Sequence, residues 1–221
     1  MPTVLVPWRG GCRHREAALS WVLGRYAALG WAVKLCEAPG GEWCKADAVI
    51  PALERAPADL VVVADADVWA DGLERAAMAV VCGEAEWAIP HGGVFRLSEA
   101  ATADVLAGAE PSEDAELTRP AYRGTEGGGV VIAHRDTLLD VPLDRRFRGW
   151  GQEDESWGVA LRCLVGPPDR GRRPPLFHLW HPPQDRPATR WGSVESKRLH
   201  ARYIAAREKP GVMRALIEEG L

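Results

Sequence analysis

No run of roughly 18 or more apolar residues occurs anywhere in the chain, so nothing in it has the length to cross a bilayer as a helix. Cysteine is sparse and unpatterned. The five residues (Cys12, Cys36, Cys44, Cys82, Cys163) are odd in number and form no CxxC pair, so free thiols in a cytoplasmic setting are expected. A basic excess is also missing: 27 Lys and Arg stand against 31 Asp and Glu, for a net charge of −4. Without that excess a general nucleic-acid binder is excluded, because nothing neutralises a phosphate backbone, and only a local basic patch stays open. The opening MPTVLVPWRGG reads as a strand and lacks the regions of a signal peptide. Neither an internal repeat nor a separating linker is visible.

What is present suits one soluble globular unit. The chain has 221 residues, 47% of them apolar, enough to bury a sizeable core. Its ten tryptophans are many for this length; most are expected in the core, with aromatic surface still available for stacking on sugars or bases. Usage rich in Ala, Arg, Gly and Pro points to a high-GC bacterial or phage source.

The first third alternates regularly. Thr3–Pro7 reads as a strand, 14–29 as a helix ended by Gly30, 31–36 as a strand and 44–55 as a helix. Leu60–Ala64, LVVVA, is a β-branched run suited to a strand buried on both faces. Strand, helix, strand, helix, strand predicts an α/β fold with a mostly parallel, Rossmann-like central sheet. Residues 71–82 follow as a helix, and 87–97 as strand and turn around His91-Gly92-Gly93. EPSEDAE (110–116) reads as a solvated loop, and GGGVVIA (127–133) as a glycine-led strand. A helix over 153–164, a short strand over 176–179 and helices over 193–207 and 212–219 complete the pattern.

Three constellations can carry chemistry. Asp65-Ala66-Asp67 follows the buried strand directly, where open α/β sheets bind ligands. Two carboxylates there can share a divalent cation, or simply cap a polar turn. His178-Leu179-Trp180-His181 offers two imidazoles that could complete a metal shell with Asp67, or could be packed histidines. If Asp67 and His181 are both ligands, their side chains converge within about 5 Å. In FRGWGQEDES (147–156), Gly149 and Gly151 permit a tight turn around Trp150, and Glu153 and Asp154 open a helix whose dipole favours their ionised form. An ionised carboxylate beside a bound hydroxyl is a general base, although acids are ordinary in a first helical turn.

Taken in order, DxD after a buried strand, EGGGVVIAHRD, LDRRFRGWGQEDES and FHLWHPP resemble metal-dependent glycosyltransferases of the GT-A fold. The likeness, over residues 3–182, is to the galactosyltransferase, polypeptide N-acetylgalactosaminyltransferase and chondroitin-synthase group. The resemblance implies a nucleotide pocket begun by Pro7-Trp8-Arg9 with Arg13 nearby, and Lys45 facing the donor. It implies Asp65 at ribose or donor sugar, Asp67 on Mn2+ or Mg2+, and His181, with His178, completing the metal shell. Gly128, within the 127–129 run, would let the donor sugar approach backbone. Trp150 would stack on sugar, and Glu153 and Asp154 would hold hydroxyls. The group includes inverting and retaining members, and an Asp after Glu favours the inverting ones, with Asp154 as base.

The activity implied is transfer of a hexosyl or N-acetylhexosaminyl group from a nucleotide-diphosphate donor, expected to be a UDP-sugar. The acceptor could be a protein, a glycan, a metabolite or a modified base. Anchor, stem, lectin domain and disulfides are all lacking, which implies a near-minimal catalytic unit: 1–95 the nucleotide half, 96–182 the acceptor half, 183–221 a lid loop and terminal helices. Arg186 and Arg190, in the loop 182–191, suit phosphate oxygens. A nucleotidyltransferase-like enzyme shares the metal and phosphate logic but not the GWGQED turn, and an inactive sugar- or partner-binding module shares the fold.

Overall fold

The computed structural model describes residues 1–171, 174–183 and 192–220. Of the loop 182–191 expected to act as a lid, only Pro182 and Pro183 are among them, and Arg186 and Arg190 lie outside.

Strands β1 (Thr3–Trp8), β2 (Ala32–Glu37) and β3 (Leu60–Ala64) form the start of a five-stranded sheet, with helices α1 (Arg13–Ala28) and α2 (Lys45–Glu54) as the crossovers. Helix α3 (Leu73–Val81) leads to β5 (Trp87–Ala88), and β7 (Val130–His134) completes the sheet in the order β2-β1-β3-β7-β5. β2, β1 and β3 are parallel, β7 runs against β3, and β5 runs against β7. The sheet is therefore mostly parallel, with β7 the one reversed strand.

Alternation along the central strands divides the core in two. Leu5, Val61 and Val63 face one layer with α2, whereas Val4, Val6, Leu60 and Val62 face the other with α1 and α3. Each such side chain contributes about 1.5–3 kcal/mol on burial. β1 and β3 are buried at every position, as the unbroken apolar runs require, whereas edge strand β2 is largely open. Pro7 sits beyond the part of β1 that pairs with β3, which ends at Leu5, so its missing N–H interrupts no bond there.

A second sheet was not legible. β4 (Val68–Ala70), β6 (Gly93–Arg96) and β8 (Pro175–His178) associate in the order β4-β8-β6. β4 has only three residues and follows DxD directly, too short for a periodic signal. Helices α4 (Glu99–Leu106) and α5 (Arg135–Asp140) were missed for the same reason, with eight and six residues.

Helices α6 (Glu153–Leu164), α7 (Val194–Ala206) and α8 (Pro210–Glu218) pack together, closing the α2 side of the core. They hold the 144–152 segment in place. Buried Asp144 accepts from the Tyr203 hydroxyl at 2.8 Å and from the Arg146 guanidinium, which also donates to the Leu216 carbonyl. Asp144, part of the motif that carries the family resemblance, is thus a structural anchor for the C-terminal helices.

Candidate functional site

Strand ends converge to build the site. Asp65 and Asp67 stand just past β3, and Asp67 immediately precedes β4. The Leu179 N–H donates to the Asp67 carbonyl at 2.8 Å, which brings the end of β8 alongside. Asp67, His178 and His181 thereby place one ligand atom each within 4.8 Å of one another. His181 Nε2 lies 3.3 Å from Asp67 Oδ2 and His178 Nε2 lies 3.9 Å from Asp67 Oδ1.

The two histidines are not equivalent. His181 Nδ1 is 2.8 Å from the Pro182 carbonyl, which can only accept, so Nδ1 carries the hydrogen. In the neutral ring Nε2 then presents a lone pair toward Asp67 Oδ2, and two acceptors 3.3 Å apart repel unless a cation or a proton lies between. Fixing one ring nitrogen by a backbone carbonyl is how proteins orient a metal-binding imidazole. His178 Nε2 instead accepts from the Arg96 guanidinium at 3.0 Å, since arginine only donates. Burial holds His178 neutral, its pKa pushed down to about 4 despite the opposing charge of Asp67. One carboxylate oxygen and one free imidazole nitrogen, with a second imidazole behind, fit a divalent cation with open positions.

Lys45, at the start of α2, is buried and bridges two carboxylates. Its Nζ is 2.9 Å from Asp65 Oδ1 and 2.7 Å from Asp154 Oδ1. Burial alone would lower the lysine pKa, and Asp154 and Asp65 more than reverse it, so the ammonium stays charged. Asp65 ends below its ordinary range because Lys45 outweighs the cost of burial, whereas burial and the nearby Asp65 charge leave Asp154 raised. Adjacent Glu153 is pushed up to about 7 by burial and then by the Asp154 charge, while its Oε2 accepts from the Gly151 N–H at 2.7 Å.

The turn before α6 is left-handed at three of four positions: Gly149, Gly151 and Gln152, with φ of 73°, 114° and 76°. Gln152 is the one non-glycine with positive φ among the described residues, a local strain of the kind that collects at functional sites. At the other side, a Cβ on Gly127 would lie 2.0 Å from the Asp154 carbonyl oxygen, so only glycine lets this segment touch α6. Gly128 faces the Asp154 side chain, since a Cβ there would be 3.9 Å from Oδ2. The Asp65 N–H in turn donates to the Gly129 carbonyl at 2.8 Å. Asp65, Gly128, Lys45 and Asp154 therefore share one surface.

Pro7 is buried in β1, and exposed Arg9 borders a small cleft with Trp8, Pro39, Gly40, Gly41 and Trp43. Arg13 does not reach the cluster: it is exposed and donates to His14. The guanidinium that enters is that of Arg15, buried with its Nε 3.5 Å from Asp67 Oδ2, and 5.3 and 5.4 Å from the Trp8 and Trp150 rings. Its position in α1 is a signal in the sequence, because Arg15 falls on the stripe of Ala18, Leu19, Val22 and Tyr26 that faces the core. Trp150 stacks on Trp43, with centroids 5.4 Å apart and planes at 16°, rather than standing free. Arg96 and His91 were also missed. Buried His91 meets the Gly128 carbonyl at 3.2 Å and steadies the glycine run.

No protein-family model matches the chain, and no curated protein matches its sequence. Solved structures resemble it in fold. GalNAc-T7 with UDP, GalNAc and Mn2+ aligns over all of this chain and 55% of its own, at a TM-score of 0.56 and 11% identity. Glucosyl-3-phosphoglycerate synthase from Mycobacterium tuberculosis, with Mn2+, UDP and glucosyl-3-phosphoglycerate, aligns over 94% of this chain and 79% of its own, at 0.51 and 15%. The chain has the GT-A fold of these glycosyltransferases.

Proposed function

We propose that this protein transfers a sugar from a nucleotide-diphosphate donor, a UDP-sugar, to an acceptor hydroxyl. The observation that carries the reading is the pair Asp67 Oδ2 and His181 Nε2, two lone-pair atoms set 3.3 Å apart at the ligand-binding end of a GT-A sheet. Asp67 and His181, with His178 behind them, would hold Mn2+ or Mg2+. That ion would offset the charge of the leaving diphosphate. Both aligned glycosyltransferases were solved with Mn2+ and UDP, which supports the same assignment here.

Residues 1–95 serve the donor. The cleft at Trp8, Arg9 and Trp43 receives the nucleobase, and Asp65 faces ribose or donor sugar. Lys45 keeps Asp65 and Asp154 apart at a fixed distance and compensates their charge. Gly128 allows the sugar to approach backbone, and Trp150 would leave Trp43 to cover it. Asp154 takes the acceptor proton. Its raised pKa makes it a stronger base than an exposed aspartate, and it is a quarter exposed, with 27% of the side chain open to the incoming hydroxyl. Attack on the face opposite the leaving diphosphate would invert the anomeric centre.

Hydrolysis and thermal stabilisation with a panel of UDP- and GDP-sugars, with and without Mn2+, test the proposal. Metal-dependent release of one sugar with inverted configuration, read by NMR, is the expected result. Affinity without turnover indicates a binding module, and release with retained configuration removes Asp154 from the role of base.

A further inference from the structure

One arginine-rich cluster has no part in the donor site. Glu126, immediately before the glycine run, is surrounded by three guanidinium groups: Arg162 of α6, Arg170, and Arg123. Arg162 alone satisfies the carboxylate, with Nε donating to Oε2 and Nη2 to Oε1, a bidentate pair. Arg170 Nη2 makes only an ion pair with Oε1 at 3.5 Å and Arg123 a looser one, so three guanidinium groups share one carboxylate and positive charge is in excess. Arg123 is 71% exposed and only 3.9 Å from Glu126 Oε1, too far for a hydrogen bond. Arg170 is the reverse case. Its side chain is 9% exposed, its Nη1 donates to the His91 carbonyl, and its Nε and Nη2 are buried with no hydrogen-bond partner. Burial and the like charges of Arg123 and Arg162 also pull Arg170 below the usual arginine range, although Glu126 opposes them. Unmet donors on a buried cation are costly, and an oxyanion is the group that would satisfy them.

The cluster is continuous with the proposed acceptor side. Asp154, Gly158 and Arg162 succeed one another at intervals of four along α6, on neighbouring parts of one face. A Cβ on Gly158 would lie 2.9 Å from the Glu126 Cβ, so Glu126 crosses the helix one turn beyond Asp154. Helical side chains lean toward the N-terminus, which carries the Arg162 head back toward Asp154. Between them lies exposed Thr125, whose hydroxyl would be 2.6 Å from a Cβ on Gly128, on the side that also meets Asp154. The span from Asp154 to the cluster is one to two helical turns, roughly 6–12 Å.

We infer that Arg123 and Arg170 form a subsite for a compact oxyanion, a phosphate monoester or carboxylate, carried by the acceptor. The inference rests on the glycosyl-transfer reading for the word acceptor, but the subsite itself can be tested without it. Inorganic phosphate and malonate are titrated into the full chain by calorimetry, in EDTA and at constant ionic strength. Arg123→Gln, at an exposed position, should weaken phosphate binding roughly tenfold or more, the loss of one charge-assisted hydrogen bond. Glu126→Gln removes the competing carboxylate and should tighten it, a gain that a merely structural cluster does not produce. Asp67→Asn should leave phosphate affinity unchanged. Malonate binding alongside phosphate admits carboxylate acceptors, and phosphate alone restricts the site to phosphate esters.

Sugar transfer separates the two levels of the argument. Arg123→Gln should leave transfer to water at the wild-type rate and lower transfer to phosphorylated or carboxylated alcohols through KM. Phosphate affinity that is unaltered in Arg123→Gln and Glu126→Gln, or lost only in Asp67→Asn, overturns the subsite. Phosphate binding with the expected variant pattern but no sugar transfer under any condition leaves the subsite standing and removes the glycosyl-transfer reading.

Discussion

Lys45 and Asp154 are 109 positions apart in sequence and 2.7 Å apart in space, with Asp65 held by the same ammonium. This contact joins α2, the end of β3 and the start of α6, and so connects the proposed donor and acceptor halves through one buried charge. Lys45→Met removes it and leaves two carboxylates facing each other. Breaking a buried pair costs about 3–5 kcal/mol. Asp65 and Asp154 retain 33% and 27% side-chain exposure, so water screens part of that, and a loss of roughly 1–3 kcal/mol in urea denaturation is expected.

Asp154→Asn keeps an acceptor for Lys45 and cannot take a proton. Transfer should fall by roughly 10²–10⁴-fold, with donor binding held near wild type. A variant that transfers at the normal rate would eliminate Asp154 as the base.

Glu153 gives the protein a predictable pH response. Its carboxyl ionises near its ordinary value of 4.5 when unfolded but at about 7 when folded, so the native state binds the extra proton between those limits. Stability contributed by that proton is present below pH 4.5 and is lost as pH rises to 7. The loss is at most roughly 3 kcal/mol, from about 1.4 kcal/mol per pH unit. Glu153→Gln should flatten this part of the stability profile, measured by urea denaturation from pH 4.5 to 8. An unchanged slope would show that the native Glu153 carboxyl ionises near its ordinary value.

Much of this arrangement was legible because it is local. The run LVVVA gave a strand with its boundaries intact, and the acidic first turn of GQEDES gave the start of α6 at Glu153. DxD and HLWH were visible as residue types that bind cations, though nothing local shows that they meet. Their meeting depends on β4 and β8 pairing, and β4 is three residues long. Arg15 is harder to see in the sequence for a different reason. Arg13 lies nearer the Pro-Trp-Arg turn in sequence, whereas the burial of one face of α1 turns Arg15 inward with Ala18, Leu19, Val22 and Tyr26. The stacking of Trp150 on Trp43 is not legible in the sequence either, because the two rings are brought together only by the fold.

The anchor beneath the site should be separable from its chemistry. Tyr203→Phe deletes one hydroxyl, 2.8 Å from the buried Asp144 carboxylate. Loss of a hydrogen bond to a charged group predicts a destabilisation of about 1.5–3 kcal/mol. The metal cluster touches neither residue, so Mn2+ affinity of the folded variant should equal that of wild type.

Mn2+ binding itself is the most direct measurement. In EPR titrations of the free ion with and without UDP, the wild-type chain should bind one Mn2+, more tightly when UDP is present. Asp67→Asn and His181→Ala should each weaken it by at least the roughly 10–100-fold seen when support around a metal is lost. His178→Ala should weaken it less, because its Nε2 is engaged by Arg96. Equal Mn2+ affinity in wild type, Asp67→Asn and His181→Ala would contradict the account, since no other described residues bring three such ligand atoms together.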